Sequence, residues 1–122
     1  MIGYITLGSN DLTAAAAFFD EIFGKLGAKR AYSLDNLIAY QTDPKAPMIV
    51  INTPFNKEPA THGNGSMVAL AATSAKQVDE LHALALSLGA TDEGAPGYRG
   101  ERFYGAYFRD LDGNKFGVFV YM

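Results

Sequence analysis

Twice along this chain, apolar residues that alternate with polar ones give way to apolar residues recurring three or four apart. Over Tyr4-Ile5-Thr6-Leu7 the period is two, which predicts a strand with Ile5 and Leu7 on one face and Tyr4 and Thr6 on the other. From Leu12 the period lengthens: Leu12, Ala15, Phe19, Ile22, Phe23 and Leu26 make one stripe of a helix. The same order returns with Met67-Val68-Ala69-Leu70, followed by Val78, Leu81, Ala85 and Leu88. Asp11 corresponds to Ser74 at an offset of 63 residues, and Leu26-Gly27-Ala28 to Leu88-Gly89-Ala90 at an offset of 62. A repeat at half the chain length predicts two copies of one structural unit.

Punctuation supports both helices. Ser74 and Gln77 form a Ser-x-x-Gln capping box, and Gly27 and Gly89 stand where a left-handed residue closes a helix. Beyond the first helix, Lys29–Leu34, Asn36–Gln41 and Pro47–Asn52 read as short strands. Beyond the second, Glu101–Arg109 and Asn114–Tyr121 flank Asp110-Leu111-Asp112-Gly113, a hairpin turn whose glycine supplies a positive φ. Each half is thus roughly β-α-β-β-β. The Pro- and Gly-containing stretch Thr53–Gly65 reads as the loop between modules of about 1–53 and 66–122. Neither half is expected to bury its sheet alone, so residues 1–122 are expected to form a single α+β domain. Glu93–Arg102, with three glycines, Tyr98, Arg99 and Arg102, reads as a loop able to close over a cavity and offer guanidinium groups to an anion.

Composition narrows the function. Apolar residues make up 48% of the chain, enough for a core without staples. With no cysteine, disulfides, thiolate metal sites and a Cys nucleophile are excluded. A net charge of −3 with ten Lys and Arg gives no basic field for a nucleic-acid backbone. No stretch approaches the ~20 apolar residues that span a bilayer, so neither nucleic acid nor membrane is expected as a partner and a cytoplasmic location is expected.

The tandem modules, the Asn10-Asp11-Leu12 leading the first helix, and Tyr107-Phe108-Arg109-Asp110-Leu111-Asp112-Gly113-Asn114-Lys115 before a final apolar strand resemble the vicinal oxygen chelate superfamily of glyoxalases, bleomycin-resistance proteins and extradiol dioxygenases. The resemblance covers almost the entire chain. It implies curled mixed sheets forming a cavity, helices outside, and a homodimer. It also implies one divalent metal, held by His and Glu from the first and last strands of each module. Those positions fall here on Tyr4, Met67, Gly117 and Val50 or Ile51, with Asn52 nearby. Thioether, phenol, alkyl and glycine are poor company for such a metal, so no cofactor is expected.

By parity, Tyr4, Thr6, Met67, Ala69, Gly117, Phe119 and Tyr121 lie opposite the helix-packing residues and are expected to line the cavity. The candidate ligand contacts are Tyr4, Thr6, Asn52, His62, Met67, Tyr98, Arg99, Arg102 and Phe119. Of the two charged residues, Arg102 is preferred over Arg99, because it opens a strand while Arg99 sits between glycines. His62 lies on a glycine-rich loop where an imidazole can act as base or ligand contact, whereas His82 borders the helix stripe and reads as a packed structural residue. Two readings follow. One is a binding protein that holds a small aromatic or anionic molecule without metal. The other is a glyoxalase-like lyase, metal-free or with a non-standard metal site.

Overall fold

The computed structural model describes residues 1–122 and contains two compact units, residues 1–61 and 62–122. In the first, β1 (Tyr4–Gly8) leads to α1 (Leu12–Gly24) and then to β2 (Lys29–Leu34), β3 (Leu37–Gln41) and β4 (Met48–Asn52). In the second, β5 (Val68–Ala71) leads to α2 (Ala75–Ser87) and then to β6 (Thr91–Tyr98), β7 (Phe103–Arg109) and β8 (Lys115–Tyr121). The sheets run β1-β4-β3-β2 and β5-β8-β7-β6. The first strand is parallel to the last in each, and every other pairing is antiparallel. These are the two tandem β-α-β-β-β modules that the repeat predicts.

Equivalent residues do equivalent work at the helix ends. Asp11 Oδ1 accepts from Ala14 N–H at 3.0 Å and Ser74 Oγ from Gln77 N–H at 3.1 Å, satisfying first-turn donors. The Gln77 carboxamide reaches past the cap, accepting from Thr73 N–H at 2.8 Å. At the other end, Ala28 N–H donates to Phe23 O and Gly27 N–H to Gly24 O, while Ala90 N–H donates to Ala85 O and Gly89 N–H to Leu86 O. Both are Schellman closures, with φ of +82° at Gly27 and +104° at Gly89.

The two cores are filled from opposite sides. In the first, α1 supplies the large rings: Phe18, Phe19 and Phe23 are buried, and Phe23 meets Tyr40 edge-on at 5.1 Å. Phe18 lies outside the expected stripe, yet it packs edge-to-face on Phe19 at 5.0 Å. In the second, α2 buries only Val78, Leu81, His82 and Ala85, and the sheet supplies Phe108 and Phe116, stacked at 5.6 Å. The helix contributes most of the aromatic volume in the first core and the sheet in the second, so each core is filled by a different division of the same task. His82 is part of this packing, with Nε2 3.0 Å from Asp92 Oδ1.

One segment departs from the sequence reading. Residues 91–98 are not a loop but the edge strand β6, bulged between Asp92 and Gly94 and between Gly94 and Gly97. Pro96 is tolerated because an edge strand has a free side and a bulge leaves residues out of the ladder. Only residues 99–102 remain as the turn into β7.

Candidate functional site

Register decides which side chains share a face. In the first unit Tyr4 pairs with Met48, Thr6 with Val50 and Gly8 with Asn52, so these six residues lie on the face turned away from α1. Ile5, Leu7, Ile49 and Ile51 point the other way. Val50, rather than Ile51, therefore occupies the face of Tyr4.

At one end of this face lies a cleft of about 370 Å³ lined by Thr6, Gly8, Asn52, Pro54, Phe55 and Ala60, among others. Its wall is the 53–61 loop, held in place by several local bonds. Thr53 N–H donates to Asn36 O at 2.9 Å, Lys57 N–H closes a turn onto Pro54 O, and Glu58 N–H donates to Asn56 Oδ1. The Asn10 side chain exchanges two hydrogen bonds with the Ala60 backbone, at 2.7 and 3.2 Å. Only glycine fits at position 8, since a Cβ there would stand 2.9 Å from that of Ala60. Phe55 is fully exposed at the tip, and Lys57 holds a left-handed φ of +63°. Thr6 and Asn52 are thus together at a concavity, while Tyr4 stands at the other end of the strand, 63% exposed.

In the second unit the face turned away from α2 carries Phe103, Gly105, Tyr107 and Arg109 on β7 beside Tyr121, Phe119, Gly117 and Lys115 on β8. Its glycines have a common cause. A Cβ at Gly94 or Gly117 would stand 3.0 or 3.2 Å from the Tyr107 ring, and one at Gly105 would stand 2.7 Å from the Phe103 ring. The bare backbone lets both rings lie down on the sheet, as aromatic side chains cover strand glycines elsewhere. Phe103 then stacks on Phe119 at 5.3 Å with only 4° between planes. Met67, just before β5, places its sulfur 3.5 Å from where a Cβ of Gly117 would be.

Two cations meet at Tyr107. Arg99 Cζ lies 5.4 Å from its ring centroid and Lys115 Nζ 5.6 Å. The Arg99 guanidinium is fixed by three carbonyl oxygens: Nη1 donates to Gly97 at 2.8 Å and Gly105 at 3.1 Å, and Nη2 donates to Ala95 at 2.6 Å. Those acceptors are neutral, and neither Arg99 nor Lys115 takes part in an ion pair; the nearby carboxylate, Glu93, is bonded to Arg109. That bond holds the Glu93 carboxyl below its usual range, with the charge of Lys115 adding to the effect.

The other predicted contacts are placed elsewhere. Tyr98 packs edge-on against Tyr104 at 5.1 Å, and the Tyr104 hydroxyl donates to Asp79 of α2, so Tyr98 is on the helix side of the sheet. Arg102 Nε donates to Met122 O at 2.9 Å while Met122 N–H donates back to Arg102 O, tying down the last residue. His62 is exposed beside the Gly113 turn, its Nδ1 3.6 Å from where a Cβ of Gly113 would be. Tyr107 and Lys115 escaped the sequence reading. The signal was available, since extending the parity of Gly117 and Phe119 back along β8 and across to β7 reaches both.

Two four-stranded mixed sheets in tandem, each backed by one helix and leaving its other face to side chains that α1 and α2 do not cover, define a class of small paired-module proteins. The chain belongs to the Glyoxalase/Bleomycin resistance protein/Dioxygenase superfamily, whose family model matches residues 1–118. A glyoxalase/bleomycin resistance protein from Albidiferax ferrireducens T118 is 38% identical, with 100% of this chain and 99% of that one covered and a TM-score of 0.91. The fold is also similar to that of lactoylglutathione lyase from Agrobacterium tumefaciens, at 23% identity, 98% and 92% coverage and a TM-score of 0.72. It is similar too to a genomically encoded fosfomycin resistance protein from Listeria monocytogenes, at 23% identity, 100% and 93% coverage and a TM-score of 0.76. No curated protein matches the chain.

At the positions where the resemblance implies ligands to a divalent metal, the side chains present have other chemistry. Tyr4 and Val50 in one unit, and Met67 and Gly117 in the other, offer no imidazole or carboxylate. No three His, Cys, Asp or Glu side chains gather closely enough to hold an ion.

Proposed function

We propose that this chain binds a small organic molecule on the sheet faces turned away from α1 and α2, and that it does so without the superfamily's metal. The observation that carries this reading is the replacement of the donor set. Where His and Glu would stand are an exposed phenol and an alkyl chain in the first unit and, in the second, a thioether and a bare backbone beside the Tyr107 ring that Arg99 and Lys115 approach. Such a lining binds by apolar burial, stacking and charge rather than by coordination. Thr6 and Asn52 add hydrogen-bonding groups at a cleft of ligand size. The homodimer belongs to the same reading, supported by the edge strand β2, exposed throughout, with Tyr32 and Leu34 at the surface. No helix is long and apolar enough to cross a membrane.

Elemental analysis after dialysis, paired with thermal melting, tests the metal-free claim. The expected result is substoichiometric Zn, Ni, Mn and Fe, and a melting temperature unmoved by a chelator. Stabilisation by one of these ions, lost in Tyr4→Phe or Asn52→Ala, would overturn it.

A further inference from the structure

From the arrangement around Tyr107 we infer that the second sheet carries an anion subsite, and that its ligand is a small aromatic carboxylate. This rests on the ligand-binding reading above and adds the class of ligand.

Three features converge. The first is charge without a counterion. Arg99 and Lys115 approach one ring and neither is in an ion pair; of the two carboxylates next along the strand, Glu93 is bonded to a third cation, Arg109, and Asp92 to His82 and the Gly94 N–H. Arg99, Lys115 and Arg109 against Glu93 and Asp92 give three positive charges to two negative. The second is rigidity. A flexible surface arginine loses rotamer freedom on binding an anion, but the Arg99 guanidinium is already held by the carbonyls of Ala95, Gly97 and Gly105, so that cost has been met in the fold. Three neutral acceptors orient the group and leave its charge uncompensated. The third is the neighbouring surface. Tyr107 lies down over Gly94 and Gly117, and one residue pair along, Phe119 is stacked on Phe103 with Tyr121 edge-on to both at 5.5 Å. A flat apolar body has aromatic side chains to pack on, and the next aromatic residue of β7 on the same face, Tyr107, is the one both cations approach. A carboxylate suits the pair of cations, because one anionic oxygen can meet the ammonium while the other approaches one of the two guanidinium N–H groups left unbonded. Neither Arg99 nor Lys115 is placed to act on a proton of the ligand, so the inference is of binding and orientation only.

Amide chemical-shift titration with benzoate, and with benzamide as the uncharged ring of the same shape, tests this on the full chain at low salt. The expected result is saturable benzoate shifts centred on Tyr107, Gly117 and Gly94, with benzamide weaker by about tenfold, as loss of a charge-assisted bond predicts. Lys115→Gln should weaken benzoate by roughly fivefold to tenfold with the melting temperature kept, and added salt should weaken it in the wild type. Arg99→Gln should do the same, and Lys115→Gln remains informative if Arg99→Gln disturbs the turn it supports. Equal affinity for benzoate and benzamide would overturn the anion subsite and leave the ligand-binding reading standing. Benzoate affinity unchanged in Lys115→Gln would also overturn it. An absence of shifts on this face with either probe would overturn the subsite, and an absence at Thr6 and Asn52 as well would overturn the ligand-binding reading with it.

Discussion

Tyr40 shows how much can hang on one side chain in the first unit. Its ring packs edge-on against Phe23, and its hydroxyl donates to Asp20 Oδ1 at 2.8 Å, beside the two bonds that Arg30 makes to the same carboxylate. Arg30, and then Tyr40, hold the Asp20 carboxyl below its usual value against the opposing effect of burial. Burial and the adjacent Asp20 push the Tyr40 phenol above its own. The signs give a window. A depressed carboxylate contributes stability above its unfolded value near 4, and that contribution is lost as pH falls through the lower folded value. A raised phenol contributes below its unfolded value near 10, and that is lost as pH rises through the higher folded value. Both contributions are therefore complete from about pH 5 to 9. Asp20→Asn should lower stability at neutral pH by about 1 kcal/mol, at the low end because solvent reaches and screens the pair, and should flatten the acid limb. Urea unfolding at pH 7 and pH 3 checks this, since an equal loss at both would contradict the linkage.

Among the elements, the helix ends test the equivalence of the two modules. Gly27 and Gly89 close the same motif, but alanine is not equally costly at the two. Nothing lies within 4 Å of a Cβ at Gly27, so only the left-handed backbone resists, at about 1 kcal/mol. At Gly89 the φ of +104° is further from what an L-residue adopts, and Leu111 Cδ2 lies 3.1 Å from the new Cβ. Gly89→Ala should therefore lower the melting temperature more than Gly27→Ala; the reverse order would contradict this account of the caps. These helices, their caps and the Asp110–Gly113 turn were legible in the sequence because each is fixed by neighbours in the chain. The 93–102 segment was not. Its glycines and Pro96 carry the composition of a loop, yet Gly94 answers to Tyr107 on the next strand and Gly97 to the Arg99 guanidinium, requirements that local spacing does not express. Arg99 was legible as a charged candidate for the same site, but the three carbonyls that orient it became visible only once β6 and β7 were paired.

In the molecule as a whole, both units leave one sheet face to side chains that α1 and α2 do not bury, and they furnish it differently. The first offers hydroxyl and amide groups at a loop-walled cleft, with Thr6 and Asn52 read from parity and position. The second offers ring faces and two unpaired cations, of which Lys115 was missed because its hairpin-end position reads as solvated. The choice between Val50 and Ile51 needed the β1–β4 register. Binding of a small organic ligand to these faces without metal can be seen in crystals soaked in a mixture of small aromatic acids, amides and alcohols, with EDTA throughout. Ligand density is expected against Thr6 and Asn52 or across Tyr107 and Gly117, with no metal peak. Ligand density confined to the solvent side of α1 or α2, or appearing at these faces only after a divalent ion is added and bound, would contradict it.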